Sequence, residues 1–108
     1  MNNKIITMLG FAAKAGRLCY GMKASVEALA RGKVVLAVCA EDVSKKSRKE
    51  IDYYCKRYSA RLLMLTGIDM EAMSAAVGRR CGVLTVNDSV FADSVLKAYI
   101  EGGKANDE

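Results

Sequence analysis

The chain has 108 residues, of which 52% are hydrophobic and 27% charged, so it has the length of one domain and lacks the composition of a disordered chain. No apolar run reaches the roughly 18 residues of a membrane-spanning helix, and the apolar N-terminus reads as an amphipathic helix rather than an export signal, which implies a cytoplasmic protein. The net charge of +5 is uneven, since residues 1–61 contain thirteen Lys or Arg against five Asp or Glu, a pattern typical both of a surface for a polyanionic partner and of a solubilising lysine surface.

The first half of the chain predicts two helices and a central strand. An apolar stripe over residues 3–15, ended by Gly16, predicts the first helix. A short extended piece at residues 17–20 leads into a second helix at residues 22–30. The continuous apolar run of residues 34–40 is typical of a strand that is buried on both faces.

The second half of the chain repeats this alternation. Ser47 opens a third helix with a capping box that Glu50 completes. Asp69 and Asp88 cap two later helices, and Gly78 ends the first of these. The elements predicted here are a helix at residues 47–58, a buried strand at 62–65, a helix at 69–77, a strand at 83–86 and a helix from residue 88.

The alternation of helices and strands predicts the fold class. Strands that alternate with helices form an α/β protein, here a three-layer α/β/α sandwich with a mixed sheet of about four strands. We expect a single domain at residues 1–101 and a frayed C-terminal tail at residues 102–108.

Residues suited to catalysis are sparse. The chain has no histidine, and its four cysteines lack metal-binding spacing, so a zinc site of the usual kind is excluded. Glu41 and Asp42 follow the central strand, where ligands of α/β sheets bind, but such a pair more often ends a strand or binds backbone amides. Cys81 follows Arg79 and Arg80, which favour a thiolate, but a structural thiol is the commoner case. We therefore expect no enzymatic activity, cofactor or metal.

Two segments flanked by glycine favour phosphate binding. Gly21 precedes the second helix, whose first amides and positive dipole end are available to an anion beside Lys23. The second segment, residues 78–82, reads Gly-Arg-Arg-Cys-Gly. We expect these segments and the loop after the central strand to converge at one end of the sandwich, as an electropositive ledge for a phosphate backbone. Further cations close in sequence to the first segment are Lys14, Arg17 and Lys33.

The third helix carries the densest charge. Its basic run is typical either of a solvated helix face or of an RNA contact, and both interpretations stay open. Tyr54 and Tyr58 fit the inward stripe of this helix, which leaves Tyr53 as the exposed ring. The basic run comprises Lys45, Lys46, Arg48 and Lys49, whereas Lys56, Arg57 and Arg61 are interpreted as plain surface.

Most of the chain resembles one family. Residues 21–42 read GMKASVEALARGKVVLAVCAED and are similar to the kink-turn RNA-binding ribosomal protein family of large-subunit protein seven-Ae, whose pattern there is Gly-x-Asn-Glu-x-x-Lys, a helix and its stop, an apolar strand and Ala-Glu-Asp. Three stretches of this chain resemble the family's bacterial YlxQ-type branch: LGFAAKAGRLCYG, AEDVSKKSRKEIDYYCKRY and VNDSVFAD. The resemblance implies an α/β/α sandwich that binds kinked RNA helices with tandem sheared G·A pairs, in ribosomes or other ribonucleoproteins.

The resemblance also implies an RNA site. Lys23, Ala24 and Glu27 stand on the recognition helix where the family has Asn, Glu and Lys. The loop from Gly78 to Cys81 is the one that packs on the family's flipped nucleotide. The expected site residues are Gly21, Met22, Lys23, Glu27, Glu41, Asp42, Val43, Gly78, Arg79, Arg80 and Cys81, with Lys14, Arg17, Lys33 and Lys45 as phosphate contacts.

We therefore expect a ribosomal or translation-associated protein that binds structured, kink-turn-like RNA, with no membrane partner, as a monomer. A protein-interaction module of the same fold is the alternative, because Lys23 and Ala24 replace the family's Asn and Glu. A small enzyme that uses Glu41, Asp42 or Cys81 is a third interpretation, and the missing histidine makes it the weakest.

Overall fold

The structure, a computed structural model, describes the backbone of residues 3–106 and the side chains of residues 4–101. Its elements are α1 (Asn3–Lys14), β1 (Leu18–Tyr20), α2 (Met22–Ala30), β2 (Leu36–Cys39), α3 (Lys45–Arg57), β3 (Arg61–Met64), α4 (Met70–Val77), β4 (Val83–Val86) and α5 (Ser89–Asn106). Helix α5 extends into the expected tail as far as Asn106, and residues 107 and 108 lie outside the described residues. The frayed tail stays a prediction.

The four strands form one mixed sheet, as predicted, and their order is β1-β4-β2-β3. Strand β4 pairs antiparallel with both β1 and β2, and β2 pairs parallel with β3. All four residues of β2 are buried, as its apolar run predicted, but the run of residues 34–40 was too long for the strand, because Val34 and Val35 precede it and Val35 is 41% exposed. The prediction of a buried strand at residues 62–65 was wrong for Leu62 and Met64, which are only partly buried because β3 is an edge strand with a single neighbour.

The helices cover both faces of the sheet. Helix α2 packs against α3 on one face, and α1 packs against α4 and α5 on the other, which gives the predicted three-layer α/β/α sandwich. Every helix contributes to the buried core, through Ile5, Leu9, Leu29, Ile51, Met73 and Val95. Within the part of the chain that the structure describes, no helix is both long and apolar enough to cross a membrane.

Two local predictions for α3 were wrong. The helix begins one turn earlier than predicted, because the Ser44 hydroxyl caps it by accepting a hydrogen bond from Ser47 N at 3.1 Å. Tyr58 is 38% exposed rather than inward, because α3 ends at Arg57 and Tyr58 leaves the helical register as the C-cap. Lys45 is therefore the first residue of α3 and lies beside its N-cap.

Candidate nucleic-acid interface

Three loops meet at the end of the sheet where β2 ends and β4 begins. They are the turn at Gly21 before α2, the loop of residues 40–44 before α3, and the loop of residues 78–82 before β4. Gly21 N donates to Val83 O at 2.8 Å, and Ala40 N donates to Gly82 O at 2.8 Å. We call the surface formed by these three loops the ledge. It contains an open cleft of about 310 Å³, lined by Gly21, Met22, Val43, Ser44, Ser47, Met70, Gly82 and Val83.

The N-terminus of α2 forms the first side of the ledge. Gly21 has φ 88° and ψ 166°, a conformation essentially restricted to glycine. Because Gly21 has no side chain to cap the helix, the first N–H groups of α2 remain available to a ligand. Lys23 and Glu27 are exposed one helical turn apart, while Met22 lines the cleft. Glu27 therefore places a negative charge one turn from the cation of Lys23.

The loop of residues 78–82 forms the second side. Gly78 ends α4 in the left-handed conformation, with φ 75° and ψ 20°. The Arg79 guanidinium lies over the Tyr20 ring, 5.0 Å from its centroid, which ties this loop to β1 by a cation–π contact. Arg79 and Arg80 are both exposed and line a second cleft of about 620 Å³ together with Asp42. The lining of this cleft also includes Glu71, so its two arginines are accompanied by two acidic side chains.

Ser74 holds the same loop from α4. Cys81 N donates to Ser74 Oγ at 3.0 Å, and Ser74 Oγ donates to Cys81 O at 3.2 Å. Sequence reasoning missed both Ser74 and Tyr20 as residues that position the loop. The one available signal for Ser74 was a polar residue within a short apolar helix.

The Cys81 side chain is buried beneath the ledge, with 5% exposed. Burial raises the pKa of its thiol, although the neighbouring Arg79 lowers it. Burial likewise raises the pKa of Tyr20, again against the effect of Arg79. Both groups are therefore neutral at physiological pH, and the thiol lacks the depressed pKa of a nucleophilic cysteine.

Glu41 and Asp42 bind backbone amides at the edge of the ledge. Asp42 Oδ1 accepts a hydrogen bond from Met70 N at 2.8 Å, and Glu41 Oε1 accepts one from Gly67 N. Arg48 donates to the Glu41 carbonyl oxygen at 2.7 Å. These contacts agree with the plainer interpretation of the acidic pair, which stabilises the chain before α4.

Val43 and Gly82 pack closely inside the ledge. Val43 is 9% exposed, and a Cβ added at Gly82 would lie 2.9 Å from Val43 Cγ2 and 3.0 Å from Met70 Cγ. Only glycine therefore allows the loops before α3 and β4 to approach this closely. The role of Gly82 was also missed from the sequence.

Three of the expected phosphate contacts lie away from the ledge. The strand register pairs Leu18 and Leu36 with Val86, at the opposite end of β4 from Val83. Arg17 precedes Leu18, so it lies at that opposite end, where it is ion-paired with Asp88 at 3.9 Å. The placement of Lys14, Arg17 and Lys33 beside the ledge was wrong because closeness in sequence ignored strand direction, whereas Lys45 does lie next to the cleft residue Ser44.

Comparison with known proteins identifies the family. Residues 3–95 match the model of the ribosomal protein L7Ae/L30e/S12e/Gadd45 family. Large ribosomal subunit protein eL30 of Yarrowia lipolytica is 30% identical over 87 residues, which cover 79% of each chain. The eL30 protein of Eremothecium gossypii is 29% identical over 87 residues, which cover 79% of this chain and 82% of that protein.

Two solved structures share the fold. A protein of unknown function from Bacillus halodurans C superposes with a TM-score of 0.83 and 24% identity, over 89% of this chain and 96% of that one. The Giardia lamblia 15.5kD RNA binding protein superposes with a TM-score of 0.75 and 13% identity, over 92% of this chain and 84% of that one. With the family model matched over residues 3–95, the chain belongs to the ribosomal protein L7Ae/L30e/S12e/Gadd45 family.

Proposed function

We propose that this protein binds structured, kink-turn-like RNA at the ledge, as a cytoplasmic monomer associated with the ribosome or another ribonucleoprotein. The observation that carries the proposal is the convergence of the α2 N-terminus with the arginine loop of residues 78–82. The names of its relatives support it, because two are eL30 proteins of the large ribosomal subunit and one structural neighbour is an RNA-binding protein.

The ledge offers different contacts to phosphates and to bases. Free amides at the α2 N-terminus and the Lys23 ammonium suit a phosphate, and so do the exposed guanidinium groups of Arg79 and Arg80. Met22 offers an apolar surface in the cleft for an unstacked base. Ala24 cannot hydrogen-bond a base edge, so recognition would depend on the shape of a kinked backbone more than on base identity.

Catalysis is not part of the proposal. The carboxylates of Glu41 and Asp42 already accept backbone hydrogen bonds, and the Cys81 thiol is buried with a raised pKa. These three groups were the candidates for an enzyme, and their environments suit structural roles.

The test is binding to a labelled kink-turn RNA and to a plain duplex of equal length, each at low and moderate salt. The double variant Lys23→Glu/Arg79→Glu should weaken binding and make the salt dependence of log K less steep by about 2, because about two phosphate contacts are lost. The matched control is Lys14→Glu/Lys97→Glu, which changes the net charge equally at exposed positions away from the ledge. Equal losses in both double variants would contradict the proposed site.

The two RNAs also separate the rival interpretations. Preference for the kink-turn would mean that the α2 backbone and the arginine loop suffice without the family's side chains at positions 23, 24 and 27. Equal, salt-sensitive binding to both RNAs would indicate a basic phosphate binder with another natural target. Absence of binding to either RNA at low salt would favour a protein-interaction module, for which the replacement of a base-reading residue by Ala24 is the supporting observation.

A further inference from the structure

The outer side of α3 carries cations and an aromatic ring in one stripe. Ile51 and Cys55 are buried on the inner side of this helix. The residues of the outer side recur at the three- to four-residue spacing that aligns side chains along a helix. All of them are exposed, and we call them the α3 stripe: Lys46, Lys49, Tyr53, Lys56 and Arg57.

The charge of the stripe is largely available to a ligand. Lys56 is ion-paired with Asp52 at 3.0 Å, but this pair is exposed and weak. Among the described residues, Lys46 and Lys49 take part in no ion pair. A polyanion could therefore approach the stripe without first displacing acidic partners from either lysine.

Aromatic rings beside these cations pack against one another. Tyr53 is 58% exposed, and its ring meets the Tyr54 ring edge-on at 5.1 Å between centroids. The Tyr54 and Tyr58 rings are parallel within 7°, with centroids 6.5 Å apart, and the Arg57 guanidinium lies 5.7 Å from the Tyr58 centroid. Half-buried Tyr54 thus packs between two exposed rings, which reduces the ordering that a ligand must impose on them.

Exposed rings between cations match one ligand chemistry. A nucleic acid strand supplies phosphates for the lysines and flat bases for the rings, but the bases of a duplex already stack on one another. Only unpaired bases can therefore use Tyr53. The carboxylates of an acidic protein segment would meet the lysines but gain nothing from the ring, whose face carries partial negative charge.

The helix also leads away from the ledge. Its N-cap Ser44 and first-turn residue Ser47 line the ledge cleft. Its 13 residues span about 20 Å, and the strand that follows it starts at Arg61, paired with Leu36 at the opposite end of the sheet. An RNA strand that leaves the ledge past Ser44 therefore meets Lys46, Lys49 and Tyr53 in turn.

We propose that the α3 stripe is a second RNA-binding surface, which stacks unpaired bases of the single strand that continues from the structured RNA at the ledge. This inference rests on the proposed function, since the ledge supplies the RNA from which the strand extends. The stripe adds affinity for RNAs that have such an extension and leaves the affinity for blunt-ended RNAs unchanged.

The experiment compares a blunt kink-turn RNA with the same RNA extended at either end by about ten uridines, within the usual site sizes of single-strand binders. One extended RNA should bind about tenfold more tightly than the blunt one, the effect of one stacked base. Tyr53→Ala should remove this gain and leave binding of the blunt RNA unchanged. Tyr53→Phe keeps the ring and should retain the gain.

The matched control is Phe11→Ala, which removes another exposed ring, 51% accessible, from α1. Equal binding of blunt and extended RNAs by the unsubstituted protein would overturn the inference, and so would an equal effect of Phe11→Ala. If Lys49→Glu removed the gain in affinity for the extended RNA and Tyr53→Ala did not, the strand would be held by charge attraction without stacking. That result would also overturn the inference.

A free ten-uridine oligonucleotide separates this inference from the proposed function. If the blunt RNA does not bind but the oligonucleotide binds in a Tyr53-dependent way, the ledge proposal fails and with it the continuation of the strand from the ledge, whereas base stacking on the stripe stands. If the blunt RNA binds while neither the extension nor the oligonucleotide adds anything, the stripe is overturned and the ledge stands.

Discussion

Helices α2 and α4 begin at the same end of the sheet, but their N-termini are built in opposite ways. Asp69 caps α4 by accepting a hydrogen bond from Ala72 N at 2.8 Å, and Asp42 accepts one from Met70 N at 2.8 Å. Helix α2 begins at Gly21, which has no side chain to offer. The protein therefore satisfies the first amides of α4 internally and leaves those of α2 for something else.

The charges in the first turns follow the same division. Glu71 lies in the first turn of α4, where a helix dipole favours a negative charge, whereas α2 has Lys23 in its first turn. The N-terminus of α4 thus stabilises the fold. The N-terminus of α2 lacks these stabilising contacts, which a bound anion would supply. Departures from locally optimal structure of this kind are expected at functional sites.

The largest expected effect comes from changing the backbone that opens α2. Gly21→Asn should lower the free energy of unfolding by about 1–3 kcal/mol, because ψ 166° with positive φ is essentially restricted to glycine. A clash is not the reason, since a Cβ at Gly21 would have no atom within 4 Å among the described residues. Urea denaturation of the variant measures the loss.

Gly78→Asn, at the end of α4, is the control for this change. Gly78 also has positive φ and open space around its Cα, but its ψ of 20° places it in the left-handed region that asparagine tolerates. Its loss of stability should therefore be clearly smaller. Equal losses at the two glycines would mean that the backbone at Gly21 is not specially constrained.

The next effect concerns the bond by which α4 holds the arginine loop. Ser74→Ala removes the acceptor of Cys81 N in a partly buried position, and such a loss costs about 1–3 kcal/mol. RNA binding should weaken as well, because Arg79 and Arg80 are carried by the loop. Ser74→Cys keeps a weaker acceptor, so its melting temperature and its RNA affinity should both lie between those of Ser74→Ala and the unsubstituted protein. Unchanged RNA affinity in Ser74→Ala would show that the loop is ordered by its other contacts.

A smaller effect on stability is expected at the N-terminus of α4, whose first amides are capped within the protein. Asp69→Ala should cost about 1 kcal/mol of stability through loss of the cap, while Asp69→Asn, which keeps an acceptor, should be nearly neutral. Neither variant should alter RNA affinity, since Asp69 holds only the helix. A change in RNA affinity without a change in stability would break the division between the two helix ends.

The features predicted correctly from the sequence are those that depend on residues close to one another along the chain. The fold class, the bounds of α2, the Asp69 cap and the Gly78 stop all follow from apolar periodicity and from residues that favour helix ends. The start of α3 was misplaced because Ser44 and Ser47 both suit a cap, and the choice depends on the path of the chain leaving β2.

The parts of the site that depend on contacts distant in sequence could not be predicted. Tyr20 meets Arg79 only because β1 pairs with β4 at the far edge of a crossover sheet. The same register carries Arg17 to the end of the sheet opposite the ledge, although it is four residues from Gly21 in sequence. Periodicity gives the face on which a residue lies but not the end of the sheet at which a loop emerges.

The smallest effect has the most informative sign. In a Glu27→Gln background, which removes the like charge one turn away, Lys23→Glu should raise the free energy of unfolding by about 0.3–1 kcal/mol, because an acid in the first turn of α2 complements the helix dipole, while RNA binding weakens. Glu71→Lys makes the reciprocal change in the first turn of α4 and should lower stability by a similar amount. Paired urea denaturation at low salt measures both, and high salt should shrink both effects through screening. A loss of stability on adding Lys23→Glu to that background would mean that Lys23 already has a role in the free protein, and the open end of α2 would then not be reserved for an anionic ligand.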